Sequence, residues 1–410
     1  MVERVFCNDP QVRRGLAISK AQAEAVEVRK SAYLPRLDGI VAVTGSDKDI
    51  AYDQRYNLST HGYLRQIHNR LSLSWVLFDF GHRDANLRNA KHLLIAANAG
   101  QDNHLQDVFL HASQLFYDTV AAHHRFVAAS QVSAYASEYL QVATAKYESG
   151  AAALSDRLQA QTAYSQAQIN RGHHQRTLLK AKGLIALRMG LPPETPLELA
   201  VNLRRNPGIK FSESVNELIE QAKRDHPSMI FANSVRDAQK AAIEVQRAET
   251  MPRINLKVSH SNVRTDQSVQ PSGRSYIQDN SISIQLIIPL FDGFEGRSNA
   301  RAAQARLEQR EAEILGQELQ VALDVWSNVQ DLKSATDSLD ATDKWVEFSS
   351  QSLNIERGRY QSGVGSMIEL LNALSASSAA NQEHIDTMKN WQIARLRLGS
   401  SLGKLGFWSI

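Results

Sequence analysis

The sequence predicts a mixed α and membrane-β protomer built by tandem duplication, in which long coiled-coil helices alternate with four β-strands. Three observations carry that reading. Landmarks recur in the same order in the two halves of the 410-residue chain. Apolar positions between His82 and Tyr147 keep a heptad across a stretch without proline. Short segments on either side of polar loops alternate between apolar and polar residues.

Pro10 and Pro35 are 25 residues apart, as are Pro227 and Pro252. The first pair ends in "LPRLDG" and the second in "MPRINL"; "LFDFG" at Leu77 returns as "LFDGF" at Leu290. "YESG" at Tyr147 returns as "YQSG" at Tyr360, and "LRMG" at Leu187 as "LRLG" at Leu396. The offsets stay between 209 and 217 residues, which places a first repeat at 1–217 and a second at 218–410.

Each repeat has one plan. A helix follows the first proline and stops before the second, because the residue ahead of a proline is driven out of the helical region. A strand follows, "RLDGIVAVTG" in the first half and "RINLKVSHS" in the second, then a polar loop over Ser46–His68 or Asn262–Asp279. Next come the strands Leu71–Leu77 and Ser281–Ile288, the Leu-Phe-Asp turn, and a helix running to "YxSG", where glycine supplies a left-handed cap. A last helix returns toward "LRxG".

The helix expected from His82 to Tyr147 would reach ~100 Å at ~1.5 Å per residue. Leu105, Ala112, Thr119, Phe126, Ser133, Leu140 and Tyr147 form one heptad track, and Val108, Leu115, Ala122, Ala129, Ala136 and Ala143 the other. So many small residues demand close helix–helix approach in a coiled coil. On the helices alone, a soluble scaffold that binds partners through its coiled coils is the alternative architecture.

The strands argue otherwise. Leu71, Leu73, Trp75 and Leu77 share a face opposite Ser72, Ser74 and Val76; Ile282, Ile284, Leu286 and Ile288 share one opposite Ser281, Ser283, Gln285 and Ile287. About 10 residues suffice for a tilted strand to cross a bilayer. Four strands cannot close, and an open edge in hydrocarbon leaves backbone groups unpaired at several kcal/mol each, so several chains must share one barrel. The Leu-Phe-Asp junctions, Phe78, Asp79 and Gly81 in the first half and Phe291, Asp292 and Gly293 in the second, then mark where a β-barrel hands over to an α-helical barrel. Trp75, Phe78, Phe80, Tyr276, Phe291 and Phe294 near the strand ends read equally as interfacial belts or as core packing.

Composition narrows the classes. A formal charge of +3 with no run of like charges gives no footprint for nucleic acid. No stretch of 18 apolar residues is present, so no transmembrane helix is expected, which leaves β-strands open. Cys7 is the only cysteine and reads as a partly buried thiol. The adjacent pairs His123–His124 and His173–His174 point to different sides of a helix and read as solvated faces rather than metal sites. No P-loop, HExxH, GxSxG or dinucleotide fingerprint occurs, so no enzyme, metal or cofactor is expected.

With "NDP" and "DHP", "LPRLDG" and "MPRINL", "LFDFG" and "LFDGFEGR", "YESG" and "RYQSGVGSMIELLNALSA", the chain resembles the TolC-type outer-membrane efflux and secretion channels over almost its whole length. That resemblance implies a homotrimer whose strands, four from each copy, form a shared 12-stranded barrel in outer-membrane lipid above a periplasmic α-helical barrel. It implies a mixed equatorial region around Leu191–Asp225 and the C-terminal tail. It also implies a passive duct for efflux or type I secretion, docked to a periplasmic adaptor protein and an inner-membrane ABC or RND-type pump. Relatives carry an export signal and a first helix ahead of the first "NP", so an N-terminally truncated chain is expected.

By the same resemblance, Glu369 and Asn372 fall where acidic side chains ring the lumen, and Tyr360 matches a residue that holds the closed gate against the first half, with Asp156 as its partner. Asn372 replaces a second carboxylate, and Gly365 stands where some relatives carry a gate-locking arginine. Ser366–Glu369 also reads as a capping box, a local role for the same glutamate.

Overall fold

The computed structural model describes residues 2–51, 59–198, 214–268 and 272–405. In chain order the elements are α1 (Val2–Asn8), α2 (Pro10–Ser31), β1 (Arg36–Ala51), β2 (Ser59–Phe78), α3 (His82–Glu148), α4 (Leu154–Arg188), α5 (Val215–Asp225), α6 (Pro227–Glu249), β3 (Arg253–Gln267), β4 (Gly273–Ile287), α7 (Glu295–Gln361) and α8 (Met367–Ser401). α3 and α7 are each 67 residues long, and α4 and α8 are each 35. No helix is long and apolar enough to cross a membrane, among the described residues.

The prolines of "NDP" and "DHP" open helices. Pro10 and Pro227 are the first residues of α2 and α6, where a missing N–H costs nothing and the fixed φ already suits a helix. The residue before each caps the start. Asp9 Oδ1 accepts from the Gln11 amide at 2.8 Å, and His226 Nδ1 accepts from the Ser228 amide at 3.2 Å. Burial lowers the His226 pKa, which keeps the ring neutral and Nδ1 free to accept.

The four strands form one antiparallel sheet in the order β1-β2-β3-β4. They are longer than the apolar alternation predicts. Much of the expected loops at Ser46–His68 and Asn262–Asp279 is strand, since β1 continues to Ala51, β2 begins at Ser59, β3 runs to Gln267 and β4 begins at Gly273. Ser268 and Ser272 stand between β3 and β4, and 52–58 and 269–271 lie outside the described residues. The ladder is made by backbone groups, and polar side chains pair across it as well as apolar ones do. Gln66 donates to Thr265 at 3.3 Å and Arg274 meets Asp266 at 3.5 Å. Alternation therefore marks where a strand has an apolar face, and pairing continues beyond it.

Two compact units emerge, each drawing on both halves of the sequence: Met1–Ala17, Asn98–Phe231 and Leu315–Ile410 in one, Ile18–Ala97 and Ala232–Ile314 in the other. The first holds a core of small and aromatic side chains, with Ala136, Tyr139 and Ala143 of α3, Ala160 and Ala167 of α4, Tyr360 of α7, and Met367 and Leu370 of α8. The predicted heptad is buried at Val108, Ala112, Thr119, Ala122, Ala129, Ser133, Ala136 and Ala143, whereas its last member, Tyr147, is exposed. A second cluster joins Leu339, Met388 and Trp391, whose Nε1 donates to Thr336 Oγ1 at 3.1 Å. In the second unit Ile243 of α6 packs on Ala303 and Leu307 of α7.

Two further expectations change. Cys7 is exposed rather than partly buried. α1 turns Val5 inward against Val108 and Ala112, and a residue two positions on points to the opposite side of a helix. His123 and His124 of α3 and His174 of α4 are half-buried rather than solvated; of the two pairs, only His173 is exposed as expected. Of the expected equatorial region Leu191–Asp225, α5 forms a helix opened by the Ser214–Glu217 capping box, whereas 199–213 and the tail 406–410 lie outside the described residues.

Candidate functional site

In the first unit, the two "YxSG" turns reverse the long helices with one geometry. Gly150 (φ +78°) and Gly363 (φ +84°) take the left-handed conformation that ends a helix without a Cβ clash. One residue later the Ala151 amide reaches back to the Lys146 carbonyl at 2.7 Å, and the Val364 amide to the Arg359 carbonyl at 3.0 Å. These are equivalent bonds spanning five residues in both halves.

The returning helices start differently. α4 begins after Ala153 with no side-chain cap. α8 begins with a complete capping box: the Glu369 amide donates to Ser366 Oγ at 3.3 Å, and the Ser366 amide donates to Glu369 Oε2 at 3.1 Å. The hydrogen bonds from Ser366, with a smaller contribution from the Arg359 charge, hold the Glu369 carboxyl below its ordinary range, so it is ionised at neutral pH. Glu369 and Asn372 are both exposed and, three apart, lie on one face of α8.

Tyr360 is buried, and its hydroxyl has no hydrogen-bond partner. Burial, then the Asp156 charge, raises its pKa, so Asp156 is close enough to act through its field without a hydrogen bond. The tyrosine is held across the repeat by Lys146, a residue the sequence gave no reason to single out. Its ammonium lies 4.3 Å from the ring centroid and donates to the Tyr360 carbonyl. Gly365 is enclosed by its own turn. A Cβ there would stand 3.0 Å from Arg359 Cβ and 3.1 Å from the Tyr360 amide nitrogen, so no longer side chain fits without moving the backbone.

In the second unit, the strand–helix junctions repeat a single device. Asp79 Oδ2 accepts from the Arg83 amide at 3.1 Å, and Asp292 Oδ2 from the Gly296 amide at 2.9 Å, so each aspartate caps the helix it precedes. Both turns contain a phenylalanine and a glycine at positive φ, in opposite order: Phe80 (50°) then Gly81 (89°), and Gly293 (65°) then Phe294 (70°). The rings pair edge-on, Phe78 with Phe80 at 4.8 Å and Phe291 with Phe294 at 5.5 Å, and all of these rings are exposed.

The first junction adds an arginine latch. The Arg83 guanidinium donates to Asp79 at 2.8 Å and to the Val76 carbonyl at 2.7 Å, and lies over the Tyr33 ring at 4.9 Å. Trp75 Nε1 donates to the Tyr33 carbonyl at 2.9 Å, closing the same corner. The i,i+4 spacing of Asp79 and Arg83 at a helix start is the sequence signal for this pair. In the second half Gly296 occupies the place of Arg83, and the Thr250 methyl group fills the space its Cβ would take.

The sheet has two chemically distinct faces. On one, Leu37, Leu73, Val258 and Ile282 stand side by side across all four strands, flanked by Trp75, Leu256 and Ile284 in the next row. On the other, Asp38, Ser72, Ser259 and Ser281 form the corresponding row, and Ser259 and Ser281 share a hydrogen bond of 2.8 Å. The apolar row is uncovered: Leu37 is 63 % exposed and Ile282 76 %.

Known proteins match this arrangement over nearly the whole chain. Protein CyaE of Bordetella pertussis is 27 % identical over 405 residues, covering 99 % of this chain and 83 % of its own. Outer membrane protein TolC of Vibrio cholerae is 21 % identical over 401 residues, covering 97 % and 88 %. The crystal structure of the outer membrane protein VceC, also of Vibrio cholerae, superposes with a TM-score of 0.76 at 16 % identity, covering 98 % of this chain and 95 % of that one. The outer membrane efflux protein pattern matches twice, over residues 1–186 and again over 218–404, and the chain belongs to that family.

Proposed function

We propose that the chain is one protomer of an outer-membrane duct of a tripartite efflux or type I secretion system, conducting cargo passively from a periplasmic adaptor and an ABC or RND-type inner-membrane pump. Family membership supports the channel role and the outer-membrane location. The observation that carries the reading is the uncovered apolar row Leu37–Leu73–Val258–Ile282 backed by a row of hydroxyls. An apolar face of this kind is unfavourable in water and suits lipid, and the polar face suits an aqueous bore.

β1 and β4 are the sheet's edges, and unpaired edges are intolerable in hydrocarbon. Copies must therefore complete one barrel, and we take the number as three. On α7, Leu315, Leu319, Leu323 and Trp326 form a second uncovered stripe at helical spacing, each more than half exposed, which a neighbouring copy would bury. The repeats at 1–217 and 218–410 supply the duct with equivalent strand pairs and helix pairs, in keeping with the two family matches. Glu369 and Asn372 would line its narrow end, with Tyr360, Lys146, Asp156 and Gly365 fixing the turn behind them. Phe78, Asp79, Gly81, Phe291, Asp292 and Gly293 would form the ring where barrel meets helices.

The test is electrophoresis of the outer-membrane fraction without heating, joined to conductance in planar bilayers. A band at three times the protomer mass and discrete channel openings are expected. Recovery as a soluble monomer without conductance would overturn the proposal.

A further inference from the structure

We propose that Arg65, Arg264 and Arg274 bind the phosphate of an anionic lipid headgroup at the helix-distal margin of the sheet's apolar face. This rests on the membrane reading above.

The register places the three arginines together. Gly45, Arg65, Asp266 and Arg274 form one cross-strand row, and Val43, Ile67, Arg264 and Tyr276 form the next. Both rows belong to the same face as Leu37, Leu73, Val258 and Ile282, since they differ by even numbers of residues along each strand. Among the described residues of that face, these are the arginines, and they occupy adjacent rows.

Their level matches a membrane boundary. From the row holding Ile254 and Leu286 to the row holding Arg264 and Tyr276 is ten residues of β4. At ~3.4 Å per residue and a strand tilt of ~40°, that span stands ~26 Å tall, close to the ~25 Å apolar band of an outer-membrane barrel. Between those limits some of the polar side chains are linked in a line, and Asn69 and Gln278 of the same face stand outside it. Tyr276 donates to Asn262 at 2.9 Å, Asn262 to His260 Nε2 at 3.0 Å, and His260 Nδ1 to Asn280 at 2.5 Å. These bonds lower the cost of an apolar surround for the side chains they join, and the line leads up to the arginines.

A charge ladder within the sheet is the simpler use of these residues, and it accounts for one of them. Asp266 pairs with Arg274 at 3.5 Å. Farther out on the face, Asp49 is bonded to His61, and Asp47 lies one row beyond Arg65. Arg65 and Arg264 have no carboxylate within ion-pair distance among the described residues. Each lies over a tyrosine ring, Arg65 over Tyr63 at 5.5 Å and Arg264 over Tyr276 at 5.8 Å. Arg65 and Arg264, held beside tyrosines and not ion-paired, offer paired N–H donors to a phosphate from the lipid side, and Arg274, shared with Asp266, adds its charge beside them.

The full chain in a neutral detergent is titrated with short-chain phosphatidic acid and with phosphatidylcholine, bound lipid being read by native mass spectrometry. Insertion into phosphatidylcholine vesicles is measured in parallel. Phosphatidic acid should be preferred, and Arg65→Gln/Arg264→Gln/Arg274→Gln should weaken it by about 30-fold. Arg264→Gln alone should weaken it by about fivefold, and Arg36→Gln/Lys257→Gln on the opposite face should leave it unchanged. Insertion without a preference for phosphatidic acid, equal binding by the arginine variants, or equal displacement by inorganic phosphate would overturn the lipid site alone. Failure of the unaltered chain to insert would overturn the membrane reading beneath it.

Discussion

The ammonium of Lys146, at the end of one long helix, lies 4.3 Å from the centroid of the Tyr360 ring at the end of the other. The contact joins the two halves of the repeat at their turns through the ring rather than the hydroxyl, which has no partner. Tyr360→Phe should therefore leave single-channel conductance and thermal stability near those of the unaltered protein. Lys146→Met should cost about 1 kcal/mol at this turn and raise the resting open fraction about fivefold. Planar-bilayer recordings of both variants decide the matter, and a large effect of Tyr360→Phe would return the role to the hydroxyl.

Glu369 both completes a cap and faces outward. Its pKa is depressed in the folded state, so its contribution is complete above the ordinary value of 4.5 and is lost as pH falls through the lower folded value. Cation preference should hold from neutral pH down to that value and decline only below it. Glu369→Gln should remove the preference at neutral pH. Ser366→Ala should cost about 1 kcal/mol of cap stability while leaving the charge in place. Reversal potentials measured across this pH range separate the two roles.

Arg83 is held by Asp79 and the Val76 carbonyl, and its side chain is only 14 % exposed. Arg83→Met should destabilise the first junction by about 2 kcal/mol, since the Asp79 carboxylate loses its charged partner. Lysine should restore little, having no planar fork to reach both acceptors. Amide exchange at the start of α3, read by mass spectrometry, should quicken in both variants. The corresponding amides of α7 should not change.

The stripe Leu315, Leu319, Leu323 and Trp326 predicts the behaviour of the assembly. Leu319 is 73 % exposed, so Leu319→Glu should leave the protomer's fold intact. If a neighbouring copy covers it, the same change should cost about 2 kcal/mol or more per interface and abolish the heat-sensitive oligomer band. An unaltered band would mean that this face of α7 is not an interface.

The order of elements and the register of the heptad were legible because each rests on local pattern: proline at helix starts, glycine at turns, and a seven-residue track of small side chains. Strand ends were not, because backbone pairing continues past Ser46 and Asn262 after the apolar alternation stops. The exposure of Cys7 has no local signal, because it depends on which face Val5 takes. The Lys146–Tyr360 contact spans 214 residues and leaves no periodic trace, whereas Asp79 and Arg83, four apart at a helix start, could have been paired from spacing alone.

The two junction turns reverse the order of aromatic and glycine, Phe80–Gly81 against Gly293–Phe294, while keeping both positions left-handed. What the two corners share is the hand of the bend and not the order of the residues that make it. Grafting either tetrapeptide into the opposite half should yield a working corner, and alignments scored letter by letter will undervalue how alike the two copies are.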